Sequence, residues 1–259
     1  MKRPRTAKIS QPTHAIDDIA FLMREEMRSQ RLALEFERAE LQLRDRGIKS
    51  TVVVFGSARV GKPRGAKARS RKFADRWYEE ARTFGRIISE RAGALMPING
   101  LYENVVTTGG GPGIMEAANR GAAEAGAPTI GFNIELPEEQ EPNPFISDGL
   151  CICFRYFAMR KMHFAMRANA LAVFPGGFGT LDELFEILTL KQTRKTGGMP
   201  VVLFCSKYWD EIVNFEALAR HGMIAREDLA MFSVVDSAEE GWTAMLEHGL
   251  SVSTPLRED

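Results

Sequence analysis

Cysteine is scarce in this chain. Cys151, Cys153 and Cys205 are too few for a disulfide framework, and an odd count suits thiols kept reduced inside a cell. The expected compartment is therefore the cytoplasm. Long apolar runs are missing as well: no stretch approaches the about 18 uninterrupted apolar residues that a bilayer span needs. The start, Met1-Lys2-Arg3-Pro4-Arg5, is expected to be irregular and leads into no signal-type apolar core, so the whole chain is expected to be mature and soluble, with no membrane partner. Excess charge of either sign is also absent. Lys+Arg and Asp+Glu both total 34, which leaves no global electrostatic pull toward nucleic acid. Any anion must be bound locally. Histidine is sparse and scattered (His14, His163, His221, His248), and Cys151 and Cys153 have no second pair at ligand spacing, so no metal is expected. These two thiols are read as core residues.

What is present is enough apolar residue, 44% of 259, for a full core. Residues 16 to 46 are rich in Glu, Arg, Leu, Met and Ala, with Ile19, Met23, Met27 and Leu34 loosely at helical intervals. Residues 1–49 are read as a helical extension, outside the core, packed on the domain or on a second subunit. From residue 50 to 259 the pattern is that of one domain. Short β-branched runs bounded by Gly or Pro predict strands at Thr51–Phe55, Asn104–Thr108, Thr129–Ile134, Leu150–Phe154, Ala170–Phe174, Pro200–Cys205 and Phe232–Val235. Helices lie between them, the clearest over Ser70–Arg91, where Phe73, Trp77, Ala81, Phe84 and Ile88 share a face and Gly93 ends it. Strands that are apolar on both faces and alternate with helices predict an α/β fold, a doubly wound, Rossmann-like parallel sheet covered on both sides. Ligands of such a sheet lie beyond the C-terminal ends of its strands.

Three strand ends carry glycine. Gly56-Ser57-Ala58-Arg59-Val60-Gly61-Lys62-Pro63 nearly spells a P-loop, but Pro63 replaces the hydroxyl residue that would hold magnesium, leaving Gly56 and Ser57 as a ligand-contacting turn. The basic residues Lys62, Arg64, Lys67, Arg69, Arg71 and Lys72 lack interleaved aromatics and read as a solvated loop, so no nucleic-acid partner is expected. The second turn, Gly109-Gly110-Gly111-Pro112-Gly113-Ile114-Met115-Glu116, opens an Ala-rich helix through Ala125 and reads as an anion cradle or as a plain tight turn. Ile114 stands where a dinucleotide fingerprint needs its last glycine, which disfavours an NAD-dependent oxidoreductase. The third, Pro175-Gly176-Gly177-Phe178-Gly179-Thr180-Leu181-Asp182-Glu183, leads into a helix with Leu184, Ile187, Leu188 and the stem of Lys191 on its apolar face. Here Thr180-x-x-Glu183 also fits a capping box, which would explain Glu183 with no ligand at all.

The run Gly109 to Met115, the pair Arg160-Lys161 and the run Pro175 to Glu183 together resemble the LOG family of cytokinin riboside 5′-monophosphate phosphoribohydrolases, whose hallmark is P-G-G-x-G-T-x-x-E. The resemblance spans about residues 50 to 206. It implies that Arg160 and Glu183, 23 residues apart, form the catalytic pair, and that the chain is at least a homodimer. Phe157-Ala158-Met159 departs from the family's M-H-x segment, and the run Arg155-Tyr156-Phe157-Ala158-Met159-Arg160-Lys161 resembles a longer bacterial branch of the family, which weakens transfer of substrate preference more than transfer of reaction. The implied reaction is hydrolysis of a purine nucleoside 5′-monophosphate, AMP or an N6-modified AMP, to free base and ribose 5-phosphate, with no cofactor. Proteins of this kind are often labelled lysine decarboxylases, but the Schiff-base lysine segment of such an enzyme is not found.

On this reading Glu183 stabilises the oxocarbenium-like ribose and holds or deprotonates the attacking water. The Gly176, Gly177 and Gly179 amides and the Thr180 hydroxyl take the 5′-phosphate at a helix N-terminus. Arg160 orients the substrate or the departing base. Gly56, Ser57, Gly109, Gly110, Gly111, Gly113, Met115, Glu116 and Lys161 complete the expected binding surface. His163, one helical turn beyond Arg160, is a candidate proton donor, against which stands its reading as a polar surface or interface residue. Met159, Met162 and Met166 read as packing or as a wall for the base. The alternative function is a non-catalytic nucleotide or cofactor carrier on the same fold.

Overall fold

A computed structural model describes residues 13–61, 68–135 and 141–251. Seven strands, β1 (Thr51–Phe55), β2 (Val105–Thr108), β3 (Thr129–Ile134), β4 (Cys151–Phe154), β5 (Ala168–Val173), β6 (Val201–Phe204) and β7 (Ser233–Val235), form one sheet. Their order is β4-β3-β2-β1-β5-β6-β7 and every pairing is parallel. The predicted strands match these within two residues at each end. The chain builds outward from β1 to β4, then returns to the other side of β1 to lay down β5. Between β1 and β5, therefore, the connections diverge to opposite sides, leaving the crevice in which doubly wound sheets bind ligands.

Successive residues of β1 show why the sheet is sealed on both faces. Val52 and Val54 point into one core with Trp77, Phe84 and Ile88 of α3 (Ala68–Arg91), Ala117 of α4 (Ile114–Glu124) and Met245 of α9 (Ala238–Glu247). Val53 and Phe55 point into the other, with Phe164 of α5 (Phe157–Met166), Leu184 and Ile187 of α6 (Phe178–Gln192) and Trp209 of α7 (Ser206–Ile212). Truncating a side chain such as Trp77, 1% exposed, to alanine would cost about 3–5 kcal/mol. A Cβ on Gly121 would stand 1.9 Å from the Arg82 carbonyl oxygen, so glycine there lets α3 and α4 touch backbone to backbone. A short helix, α8 (Phe215–Arg220), joins α7 to the last part of the sheet.

The N-terminal region is α1 (Ile19–Leu22), a 3-10 turn at Glu25–Met27, and α2 (Arg28–Asp45). Reading this segment as external to the core is corrected: Ala39 and Leu43, one turn apart, are fully buried beside Phe132 and Phe154. The reading of Cys151 and Cys153 as core thiols is also corrected. β4 is the edge strand, Ile152 and Phe154 take its inner face, and both thiols are exposed. His163 is no surface residue, being enclosed by the rings of Phe36, Phe132 and Phe154. Phe73 of the expected α3 face is 40% exposed. The irregular start and Lys62, Arg64 and Lys67 of the basic run lie outside the described residues, whereas the loop reading of Arg69, Arg71 and Lys72 is corrected, because α3 already begins at Ala68. No helix among the described residues is long and apolar enough to cross a membrane.

Candidate active site

Three glycine-bearing turns meet at the C-terminal edge of β1, β2 and β5. The Ser57 amide donates to the Pro175 carbonyl (3.0 Å), and the Ile114 amide donates to the Ser57 carbonyl (3.1 Å), so the turns are fastened through backbone alone. Gly113 sits at φ 75°, and a Cβ there would lie 2.4 Å from the Ser57 carbonyl oxygen. Both the left-handed backbone and the close approach require glycine. Above these turns lies a cleft of about 640 Å³.

Gly56, Ser57, Gly109, Met115, Arg160, Gly176, Gly177, Gly179, Thr180 and Glu183 all line this cleft. Gly110, Gly111, Gly113, Glu116 and Lys161 are not among its described lining residues. The carbonyls of Gly110 and Gly111 accept from the amide and side chain of buried Asn143, at 2.8 and 3.1 Å. Gly113 is the N-cap of α4. Glu116 accepts from Tyr78 Oη at 3.2 Å and faces a neighbouring cavity of about 240 Å³. Lys161 bridges α5 to α6, its Nζ 3.0 Å from both Asp182 and Glu186 carboxylates. Most of the second turn thus builds the frame, and only Gly109 and Met115 reach the cleft. Met159, Met162 and Met166 do not line it, and neither does His163.

The capping box at Thr180 does not form. Gly177 is the N-cap of α6, no side chain caps the helix, and Thr180 is its third residue. Glu183 is then in the second turn, with its side chain aimed at the cleft and its role at a helix end removed. The first turn of α6 leaves its amides without intrahelical acceptors. Beside them Gly177 and Gly179 are open: a Cβ on either would meet no atom within 4 Å. The concave backbone there has room for a ligand. Gly176 is different, because a Cβ would stand 2.1 Å from Thr180 Oγ1.

Arg160 Nη2 lies 3.5 Å from Glu183 Oε1, and the two side chains are only 16% and 6% exposed. Burial pushes the Glu183 carboxyl up to about 7, against the opposing charges of Arg160 and Lys161 and with a further push from Glu186 and Asp182. Burial also lowers the affinity of the Arg160 guanidinium for its proton, although an arginine stays charged. Its buried Nε has no hydrogen-bond partner, and the guanidinium stands over the rings of Phe157 and Phe164, at 5.0 and 5.8 Å. A desolvated cation beside a carboxylate that titrates near neutrality can bind an anionic ligand and exchange a proton.

Several lining residues were not anticipated. Tyr208 of α7 donates its hydroxyl to the Gly176 carbonyl and so fastens the glycine turn from above. Phe178, 93% exposed, stands on the rim, and Phe55, Phe164, Leu181 and Ile212 supply apolar wall. Phe178 occupies the variable position of the glycine motif, which was a usable signal. No local pattern marks Tyr208.

Comparison with known proteins places this geometry in context. A probable cytokinin riboside 5′-monophosphate phosphoribohydrolase of Oryza sativa subsp. japonica is 29% identical over 120 residues, 46% of this chain and 48% of that protein. A pyrimidine/purine nucleotide 5′-monophosphate nucleosidase of Escherichia coli (strain K12) is 32% identical over 114 residues, 40% of this chain and 25% of that protein. The match thus spans no more than about half the length of either relative. The molybdenum cofactor binding protein of Rippkaea orientalis shares the fold, with a TM-score of 0.51 at 18% identity, covering 78% of this chain and 96% of that one. The family model described as "Possible lysine decarboxylase" matches residues 115–245. That segment is half of the chain and carries both Arg160 and Glu183, and the chain belongs to this family, the LOG family.

Proposed function

We propose that the cleft hydrolyses the N-glycosidic bond of a nucleoside 5′-monophosphate, with purine nucleotides such as AMP or an N6-modified AMP as the expected substrates. The observation that carries this reading is the Arg160–Glu183 pair, buried beside an open glycine turn at a helix N-terminus. The names of the rice and E. coli relatives support the same bond and the same substrate class. The amides at the start of α6 and the Thr180 hydroxyl take the 5′-phosphate, helped by the positive end of the helix. Phosphate anchored there holds the ribose against Glu183. As the C1′–N bond breaks, its electron pair leaves with the base, and positive charge grows on the ribose. The ionised Glu183 stabilises that charge and takes a proton from the water whose oxygen bonds to C1′. Arg160 keeps Glu183 oriented and stabilises the departing base. The base leaves with a proton from solvent, and the sugar product is ribose 5-phosphate.

Pyridoxal chemistry, which the family's description brings to mind, does not fit the donor set. Among the described residues lining the cleft there is no lysine to form a Schiff base. A carrier reading rests on the shared fold alone, and a carrier has no use for a carboxylate facing its anionic ligand. The experiment is incubation with AMP, N6-modified AMP, GMP, CMP and the matching nucleosides, followed by chromatography of released base. Base should be released from monophosphates and not from nucleosides. Binding of monophosphates without release would establish the carrier instead.

A further inference from the structure

The helix α5 that carries Arg160 is only ten residues long, a length that does not hold itself in water. Its N-cap, Tyr156, provides no side-chain acceptor, and its first turn has no acidic residue. The missing acceptor comes from α2. The Glu35 carboxylate takes the amides of Arg155 (2.9 Å) and Tyr156 (3.2 Å), directly before α5 begins. Arg31, also on α2, donates from Nε to Tyr156 Oη at 2.9 Å. At the opposite end Glu40 binds the guanidinium of Arg167, with one contact at 2.7 Å, and lies 3.2 Å from His163 Nδ1. Phe36 packs its ring 5.3 Å from that of His163. The N-terminal helix therefore grips both ends of α5, and Lys161 ties the middle to α6.

We propose that α2 is a positioning element for the site: Glu35 and Glu40 set where α5 lies and so hold Arg160 against Glu183. The Arg160–Glu183 contact is at the long end of hydrogen-bond range, so a small slide of α5 breaks it. Glu35 and Glu40 touch no cleft residue's reacting atoms and are positioning residues only. The groups facing Glu183 are Arg160, Lys161, Asp182 and Glu186, of which only Arg160 and Lys161 ride on α5.

The test is a carbon-detected NMR titration of the Glu183 carboxyl in wild type, Glu35→Ala, Glu35→Gln, Arg160→Ala and the Glu35→Ala/Arg160→Ala double variant, with base release and nucleotide affinity measured alongside. In Glu35→Ala the Glu183 midpoint should rise by about half a pH unit as the arginine charge retreats. Base release should fall roughly tenfold while nucleotide affinity holds. In the Arg160→Ala background the same change should do neither. If Glu35→Ala does not fold, Glu35→Gln, which keeps one acceptor, should show the same direction with a smaller shift. Midpoints and rates equal to wild type in the folded variants, or an equal shift in the Arg160→Ala background, overturn the proposal. The kinetic arm rests on the proposed hydrolysis and the titration does not. A shifted midpoint in a protein that releases no base would refute the reaction and leave the positioning role standing.

Discussion

Arg160 and Glu183 face each other across 3.5 Å, both largely buried, and yet the carboxyl holds its proton to about 7. Desolvation outweighs the attraction of the cation. Activity should accordingly rise with pH along a limb whose midpoint in kcat/KM is near 7, since the proposed mechanism uses the ionised carboxylate. Arg160→Ala removes the attraction and leaves the burial, so the limb should move to higher pH as the rate falls. A pH–rate profile of both proteins checks this; a limb near 4.5 in wild type would show that Glu183 is not the titrating group.

The same burial carries a stability cost. Because the folded carboxyl binds its proton more tightly than an unfolded one, stability is greatest below the unfolded value of 4.5 and is lost as pH rises through about 7. Glu183→Gln should therefore stabilise the fold at pH 8, by an amount on the order of 1–3 kcal/mol, and should give no gain at pH 4.5. Denaturant unfolding at the two pH values reads the difference. No gain at pH 8 would mean that the carboxylate is comfortably solvated.

Gly177 and Gly179 have open space where a Cβ would go, so nothing within the protein forbids a side chain there. Gly179→Ala, in the first turn of α6, should leave stability unchanged or raise it by up to about 1 kcal/mol. Its methyl would occupy the proposed phosphate cradle, and nucleotide affinity should fall roughly tenfold or more. Calorimetric binding and thermal unfolding on one preparation separate the two effects. Affinity unchanged by the methyl would place the phosphate elsewhere.

The sheet was legible because a buried parallel strand has few ways to be written: Val52-Val53-Val54 must satisfy two cores, and Val201-Val202-Leu203 likewise. Spatial order was not legible. Nothing in Cys151-Ile152-Cys153-Phe154 says that its strand is at the edge, where one face opens to solvent. The site was half legible. Gly176 to Glu183 announced a turn and a carboxylate, but Thr180-x-x-Glu183 equally announced a cap, and only the start of α6 at Phe178 removes that reading. Ala39 and Leu43, four apart, did carry a core signal that the charged surroundings masked. Contacts such as Glu35 with Tyr156 and Tyr208 with Gly176 join distant segments, and no local pattern encodes them.

Glu183→Gln is the most direct test of the cleft's chemistry, with release of base and ribose 5-phosphate from AMP measured beside AMP affinity. The variant should bind AMP within a few-fold of wild type and lose turnover by roughly a thousandfold, because in the proposed mechanism the carboxylate acts on the transition state and the glycine turn on the phosphate. Turnover surviving in Glu183→Gln would contradict the assignment of Glu183 and, with it, the proposed mechanism.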